Sequence, residues 1–325
     1  MKAVVNRSYG GTEVLEYTEV AKPAPKDHEI RVRVKAASIN SWDWDYLRGE
    51  PKVFRLLFGI LRPKHIILGC DISGVVESVG RNVKRLKVGD EVYGDLSAYN
   101  WGGFGEYAAS HEDAWALKPK NLTFEESAAA PQAGVLALQG LRWNGELRSD
   151  QYVLINGAGG GVGTYGIQLA KLAGCEVTVV DKVGKLDALR KLGADHVIDM
   201  KKDFTLSGKQ YDLILDNAAR RSPKDYLRVL KPGGAMVMVG GAVSLMLKAA
   251  LFGNAFGRKE NKKLGILVHR PNFQDLDHLT ELFEQEKLSS VVDSVFKLSE
   301  TREAFEHYVN DPFVGKIVVT QNDTI

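Results

Sequence analysis

From Asn156 to Gly163 the chain reads Asn-Gly-Ala-Gly-Gly-Gly-Val-Gly, with the apolar run Tyr152–Asn156 before it and a helical stretch, Thr164–Ala173, after it. Glycines between a strand and a helix permit a tight turn and let backbone approach a pyrophosphate. The helix N-terminus adds unpaired N–H groups and a positive dipole end. The strict G-x-G-x-x-G frame is broken, because Ala158 takes the first position ahead of Gly160 and Gly163. Asp181 closes the next apolar run, roughly 20 residues further on, where a carboxylate can accept hydrogen bonds from ribose hydroxyls. No Gly-Lys-Ser/Thr follows the turn, which removes a P-loop. The spacing predicts a dinucleotide site.

Other chemistries have less to stand on. The two cysteines, Cys70 and Cys175, exclude a disulfide framework and a four-cysteine zinc site. The seven histidines are scattered, with no HExxH pair, and no Gly-x-Ser-x-Gly elbow supports a serine nucleophile. Hydrophobic residues make up 44% and charged residues 26%, the balance of a soluble globular protein. A net charge of +2 is too even for nucleic acid or anionic membrane as the main partner. The N-terminus turns polar too soon for a signal peptide, and no apolar run reaches the ~18 residues of a membrane span. The expectation is a cytoplasmic protein of two domains.

The elements that must position the turn fall into two grammars. Ile30–Ala36, Ile72–Val79 and Val88–Tyr93 read as short β segments, with Gly74 and Gly80 marking bends or close backbone approaches. Little helical periodicity is read before Thr123, where Thr-Phe-Glu-Glu offers an N-cap and an acidic first turn. From Tyr152 onward apolar strands alternate with helices: Glu176–Val180, Lys185–Leu192, His196–Asp199, Leu213–Leu215, Pro223–Val229 and Ala235–Val239, with Lys263–His269 as a sixth strand. Such alternation predicts a parallel sheet covered on both faces. The tail is read as one amphipathic helix, Leu276–Glu286, and a final strand, Gly315–Thr320. The apolar stretch Ser244–Phe256 is read as a cover for a substrate mouth or a dimer contact, ahead of membrane attachment as a further reading, and the basic cluster Arg258–Lys263 as a solvated loop.

The segment Asp150-Gln151, Leu154, Ala158-Gly159-Gly160-Gly161-Val162-Gly163, Gln168 and Lys171 resembles the signature of quinone oxidoreductases and zeta-crystallins, the zinc-free branch of the medium-chain dehydrogenase/reductase superfamily. Further matches run in order along almost the whole chain. They include Ala37-Ser38-Ile39-Asn40 with Asp43, Gly69 with Asp71 and Gly74, Val88-Gly89-Asp90-Glu91-Val92, Gly105-Glu106-Tyr107, Ala130-Pro131, Leu192-Gly193-Ala194-Asp195 and Gly315-Lys316. The resemblance implies an α/β fold: a GroES-like β domain, residues 1–122 and 269–325, with an inserted Rossmann domain, a doubly wound parallel sheet, at 123–268. It also implies a homodimer.

For the cofactor, an NAD(P)(H) leaning to NAD(H), the expected contacts are Ala158, Gly159, Gly160, Gly161, Val162 and Gly163, with Asp181 and Lys182 at the adenosine ribose and Asp216 and Asn217 after the fourth strand. Asp216 reads equally as a strand-end residue capping the next turn. Gly240, Gly241, Gly315 and Lys316 complete the set by resemblance. Resemblance also places Asn40 and Asp43 near the nicotinamide and the acceptor oxygen, with Tyr46 as a third catalytic candidate. Trp42, Trp44, Tyr99, Trp101 and Phe104 are read as ring-stacking residues or as core.

Where zinc-dependent relatives carry metal ligands, this chain has Asn40, Cys70 and Gln132. One thiol with two neutral carboxamides is a poor zinc site, so no metal is expected. Without a Lewis acid, hydride transfer to a simple ketone is hard, whereas a quinone or an α,β-unsaturated carbonyl spreads the charge itself. The expected activity is therefore reduction of such acceptors by NAD(P)H. A zinc-dependent alcohol dehydrogenase and an NAD(P)H-binding structural or regulatory protein stay open as alternatives.

Overall fold

Val153, Leu154 and Ile155 are fully buried, and the strand that carries them lies inside a six-stranded sheet in the computed structural model, which describes residues 1–241, 245 and 261–321. The chain divides into two units, residues 1–132 with 270–325, and residues 133–269.

In the first unit, β1 (Lys2–Asn6) and β2 (Leu15–Glu19) form an antiparallel pair. The alternating run Glu29–Ser38 forms β3, followed by α1 (Ser41–Arg48), α2 (Arg55–Phe58), β4 (Asp71–Val79), β5 (Glu91–Asp95), β6 (Tyr107–His111) and β7 (Trp115–Leu117). The tail returns after the second unit as α8 (Phe273–Glu284), β14 (Val292–Lys297), α9 (Thr301–Asn310) and β15 (Lys316–Thr320). The resulting sheet runs β14-β15-β3-β4-β5-β7, with β6 also paired to β3, so the final strand lies beside one of the earliest. Gly74 and Gly80 act as close-approach positions, since a Cβ would stand 2.2 Å from the Arg33 carbonyl oxygen and 2.0 Å from that of Lys26.

Two local readings and one unit boundary change. Helix α1 is invisible to hydrophobic periodicity, yet its ends are specified by a capping box between Asn40 and Asp43 and by Gly49 at φ +60°. The tail holds two helices and two strands, and at the turn leading into α9 the Glu300 carboxylate accepts the Lys297 backbone N–H at 2.9 Å. At Thr123 the expected N-cap forms, closed into a capping box by Glu126, and opens α3 (Phe124–Ala128). Ala128 and Ala129 pack with Ala36 and Val318 of the first sheet, so that unit continues to Gln132.

The chain passes into the second unit along α4 (Pro131–Leu141). There β8 (Tyr152–Asn156), α5 (Gly161–Leu172), β9 (Glu176–Asp181), α6 (Leu186–Lys191), β10 (His196–Asp199), β11 (Tyr211–Asp216), α7 (Pro223–Val229), β12 (Leu230–Met238) and β13 (Lys263–Ile266) follow in order. The strands pair in parallel as β10-β9-β8-β11-β12-β13, as the alternation predicts. The first unit is GroES-like and the second Rossmann-type. Helix α5 begins at Gly161, earlier than the apolar pattern indicates, because the glycines themselves form its first turn. Ser244–Phe256 lies outside the described residues apart from Leu245, which is buried. Lys262 departs from the solvated-loop reading: it is buried and its Nζ donates to the Leu227 carbonyl.

The glycines of the turn do different things. At Gly163 a Cβ would lie 2.3 Å from the Ala158 carbonyl oxygen, so helix and strand close up only without one. At Gly160 a Cβ would meet nothing within 4 Å. Gly163→Ala is therefore expected to destabilise the protein by about 1–3 kcal/mol through overpacking. Gly160→Ala should stay within about 1 kcal/mol of wild type. Paired thermal melts check this, and equal shifts would contradict it.

Candidate functional site

In the second unit the glycine turn runs from the end of β8 into the N-terminus of α5. Gly160 is the N-cap and supplies no side-chain cap, so the first N–H groups of α5 have no side-chain acceptor at that position. Asp181, at the end of β9, is 9% exposed, and its carboxylate accepts from the Gly159 N–H at 2.6 Å and the Lys182 N–H at 2.7 Å. Lys182 is exposed, whereas the stem of Lys185 lies over Gly159, where an added Cβ would stand 2.5 Å from Lys185 Cδ. Ala158, Gly159 and Gly163 are buried, and Gly160, Gly161 and Val162 are partly open. Turn, helix end and carboxylate are thus brought together.

Asp216 faces the other way. It is fully buried, its Oδ1 accepting from Asn156 Nδ2 at 2.8 Å and the Ala218 N–H at 2.9 Å, its Oδ2 from the Tyr226 hydroxyl at 2.7 Å. It braces the strand ends, which is the alternative role read for it in the sequence, and has no side-chain surface for a cofactor. Burial raises its pKa, with the hydrogen bonds pulling it back. Its neighbour Asn217 behaves differently: Nδ2 donates to the Gly157 carbonyl at 3.4 Å, but Oδ1 is buried with no hydrogen-bond partner. Such an orphan acceptor at the carboxyl ends of β8 and β11 is a place for a ligand donor. Gly240 and Gly241 let the turn after β12 lie against that after β11, since added Cβ atoms would stand 2.7 Å from the Asn217 backbone carbonyl oxygen and 2.4 Å from that of Ala219.

The first unit assembles a separate polar cluster. Asn40, Cys70 and Gln132 converge although they lie far apart in sequence. Asn40 Nδ2 is 3.4 Å and Gln132 Nε2 3.5 Å from Cys70 Sγ. Beneath them Asp71 is fully buried. Its Oδ1 accepts from the Gln132 backbone N–H at 2.8 Å; its Oδ2 accepts from Asn40 Nδ2 at 3.0 Å, Lys316 Nζ at 3.2 Å and Ser38 Oγ at 3.4 Å. Lys316 Nζ also donates to Asn40 Oδ1. An ammonium can only donate, so Asn40 is held with its oxygen toward Lys316 and its amide hydrogens toward Asp71 and the sulfur. Burial pushes the Cys70 thiol well up, reinforced by the nearby carboxylates of Asp43, Asp71 and Asp95. Burial also raises Asp71, opposed by Lys316. Lys316 is thereby engaged in this cluster, and Gly315, at φ +89°, is required by the Val291 carbonyl 2.1 Å from where a Cβ would lie.

Asp43 and Tyr46 prove to be supports. Asp43 is fully buried, Oδ2 accepting the Asn40 N–H at 2.8 Å and Oδ1 the Gly69 N–H at 2.9 Å. It fixes the two stretches that present Asn40 and Cys70. Tyr46, 2% exposed, packs against Phe58 and Trp101, and its hydroxyl accepts the His65 N–H at 2.8 Å. Burial pushes its phenol up to about 12. The third catalytic candidate of the sequence is thus an enclosed side chain whose oxygen is engaged within the first unit. Trp101 and Phe104 are core as well, whereas Trp42, Trp44 and Tyr99 are partly open. Gln132, passed over in the sequence as merely a missing metal ligand, is the residue added here.

Burial pushes Asp43 up to about 7, against the pull of its two backbone hydrogen bonds. The unfolded value is about 3.9. Because the folded value is the higher, the fold gains from Asp43 below about pH 4 and loses that contribution as pH rises toward 7. Asp43→Asn should flatten the pH dependence of stability across that window. Asp43→Ala, which orphans two buried N–H groups, should destabilise by about 2–5 kcal/mol. Denaturant titrations at several pH values check both, and an unaltered pH profile in Asp43→Asn would count against the assignment.

With this geometry in place, comparison with known proteins gives a consistent answer. An alcohol dehydrogenase GroES-like domain matches residues 26–120, and a zinc-binding dehydrogenase family matches residues 192–319. A chloroplastic quinone-oxidoreductase homolog of Spinacia oleracea is 32% identical, covering 98% of both chains. The 2-methylene-furan-3-one reductase of Solanum lycopersicum is 33% identical over 98% of this chain and 79% of its own length. The quinone oxidoreductase structure from Coxiella burnetii superposes with a TM-score of 0.88 at 28% identity, over 98% of this chain and 99% of that one. The glycine turn with its strand-end carboxylate, the split β unit and full-length similarity converge: the chain belongs to the quinone oxidoreductase branch of the medium-chain dehydrogenase/reductase superfamily.

Proposed function

We propose that this oxidoreductase transfers hydride from NAD(P)H to a quinone or an α,β-unsaturated carbonyl, and that it does so without zinc. The observation that carries the reading is the pair of carboxamides, Asn40 and Gln132, directed at one protonated sulfur. A thiol is a weak acceptor, so each amide holds an N–H that a stronger acceptor can take over. The developing oxyanion of a reduced quinone or enone is such an acceptor. Lys316 on Asn40 Oδ1 polarises the amide and strengthens its donor end. The relatives named for quinones and for alkenals or enones fit the same acceptor class.

The dinucleotide fits the second unit: Gly160 leaves open space where backbone must approach a pyrophosphate, and Asn217 Oδ1 waits for a donor. When bound, the reduced nicotinamide supplies the hydride. The backbone from Ala158 to Gly163 holds the phosphates, and Asp181 faces the adenosine ribose.

Zinc fits poorly. The Asn40 oxygen is taken by an ammonium, the Cys70 thiol is held protonated, and both Asp71 oxygens are occupied. Cys70, Asp71 and Asp95 do place ligand atoms within 4.8 Å of one another, but a cation there would face Lys316 across Asp71. A cytoplasmic homodimer completes the reading.

The turnover experiment follows loss of nicotinamide absorbance with quinones, enones, aldehydes and alcohols, in chelator. Quinone or enone reduction should exceed alcohol oxidation by orders of magnitude and survive chelation. Asn40→Ala and Gln132→Ala should each lower kcat by about 10- to 1000-fold with little change in cofactor affinity. Stoichiometric zinc lost together with activity would overturn the metal-free reading. Cofactor binding without turnover would leave only a dinucleotide-binding protein.

For cofactor choice, Asp181 is held at the strand end by two N–H donors and would meet a 2′-phosphate with like charge, partly offset by Lys182 and Lys185. NADH should be preferred by about 5–30-fold, or about 1–2 kcal/mol. Asp181→Ser should remove the preference. A wild type favouring NADPH would show that Asp181 does not face the ribose.

A further inference from the structure

Residues 51–70 contain Lys52, Arg55, Arg62 and Lys64 and no acidic residue. The segment around α2 also exposes the densest run of large apolar side chains among the described residues: Val53 at 56%, Leu56 at 70%, Ile60 at 65% and Leu61 at 89%. Monomer surfaces rarely gather so much apolar area without a partner for it.

These side chains sit on a fastened frame. Arg55 donates to the carbonyls of Gly49 and Arg48 at 2.9 and 3.1 Å and lies over the Tyr9 ring. The Tyr9 hydroxyl donates to the Gly59 carbonyl at 2.7 Å, and Phe58 packs inward on Trp42 and Tyr46. With Arg55 and Phe58 turned to the body, Leu56, Ile60 and Leu61 project outward beside the exposed Lys52, Arg62 and Lys64. Glu50, which borders the segment, is paired with Arg48. The even charge of the whole chain conceals this local excess.

We infer that this segment is a peripheral docking surface for an anionic lipid bilayer. Apolar side chains inserted at the headgroup boundary, ringed by cations over anionic lipids, combine the two attractions that hold a protein on a membrane without crossing it. No helix among the described residues is long and apolar enough to span one. Lipid is favoured over a protein partner by the one-sided charge and by the lack of any carboxylate to set a register.

The test is co-sedimentation of the full chain with vesicles of phosphatidylcholine plus phosphatidylglycerol, against phosphatidylcholine alone. Wild type should bind the anionic vesicles and release with added salt. Lys52→Glu/Arg62→Glu and Leu56→Ser/Leu61→Ser should each weaken binding at least about tenfold. Both should keep wild-type melting temperature and turnover of a water-soluble quinone. Wild type left in the supernatant would overturn the inference, as would vesicle binding unchanged in both variants. So would self-association of the wild type that Leu56→Ser/Leu61→Ser abolishes, which would assign the patch to a second copy.

Discussion

A carboxylate removed entirely from water must be met by donors on every lone pair, and Asp71 is the point where the first unit satisfies that demand. Its partners come from β3 (Ser38), the α1 N-cap (Asn40), the start of α4 (Gln132) and the final strand (Lys316). Breaking such a pair by removing one charge costs about 3–5 kcal/mol, since the other is left buried and alone. The same four contacts fix Asn40 and Gln132 around Cys70. Stability and the arrangement of donors are therefore one problem solved once, and a substitution at Asp71 or Lys316 cannot change one without the other.

The second unit solves a different problem, keeping a glycine turn partly open between β8 and α5. Asp181 draws the Gly159 N–H toward β9 and Asp216 ties the end of β8 to α7 through Tyr226. Two carboxylates at the ends of the strands that flank β8 thus have opposite surroundings. One borders the turn and keeps some exposure; the other is sealed within the strand ends. Neither assignment follows from residue type, and both follow from which neighbours supply donors.

Most of the scaffold was legible from sequence because its signals are local. Alternation gave β3, apolar runs gave the parallel strands, and Thr123 with Glu126 marked a helix start. The glycine turn was legible because strand, turn, helix and carboxylate follow one another at fixed spacing. The cluster was not, since Lys316 meets Asn40 across 276 residues and only the sheet order brings β15 to β3. Asn40 and Asp43 drew attention as chemistry-bearing residues, yet their spacing also writes a capping box, so a helix start was read as a site alone. The enclosure of Tyr46 was not legible for a related reason: a phenol on a short, weakly periodic helix gives no hint of which face is enclosed.

The position of β15 also bears on the order of assembly during synthesis. The sheet of the first unit runs through β15, between β14 and β3, so a ribosome must deliver residues as far as Thr320 before that sheet closes. The second unit is continuous in sequence and can pack as soon as β13 emerges. Until Lys316 arrives, β4 carries a carboxylate with no cation, and the edge of β3 that β15 will cover stays bare. The ammonium that completes the polar cluster therefore also completes the sheet, and the first unit gains its charge balance and its closed edge together.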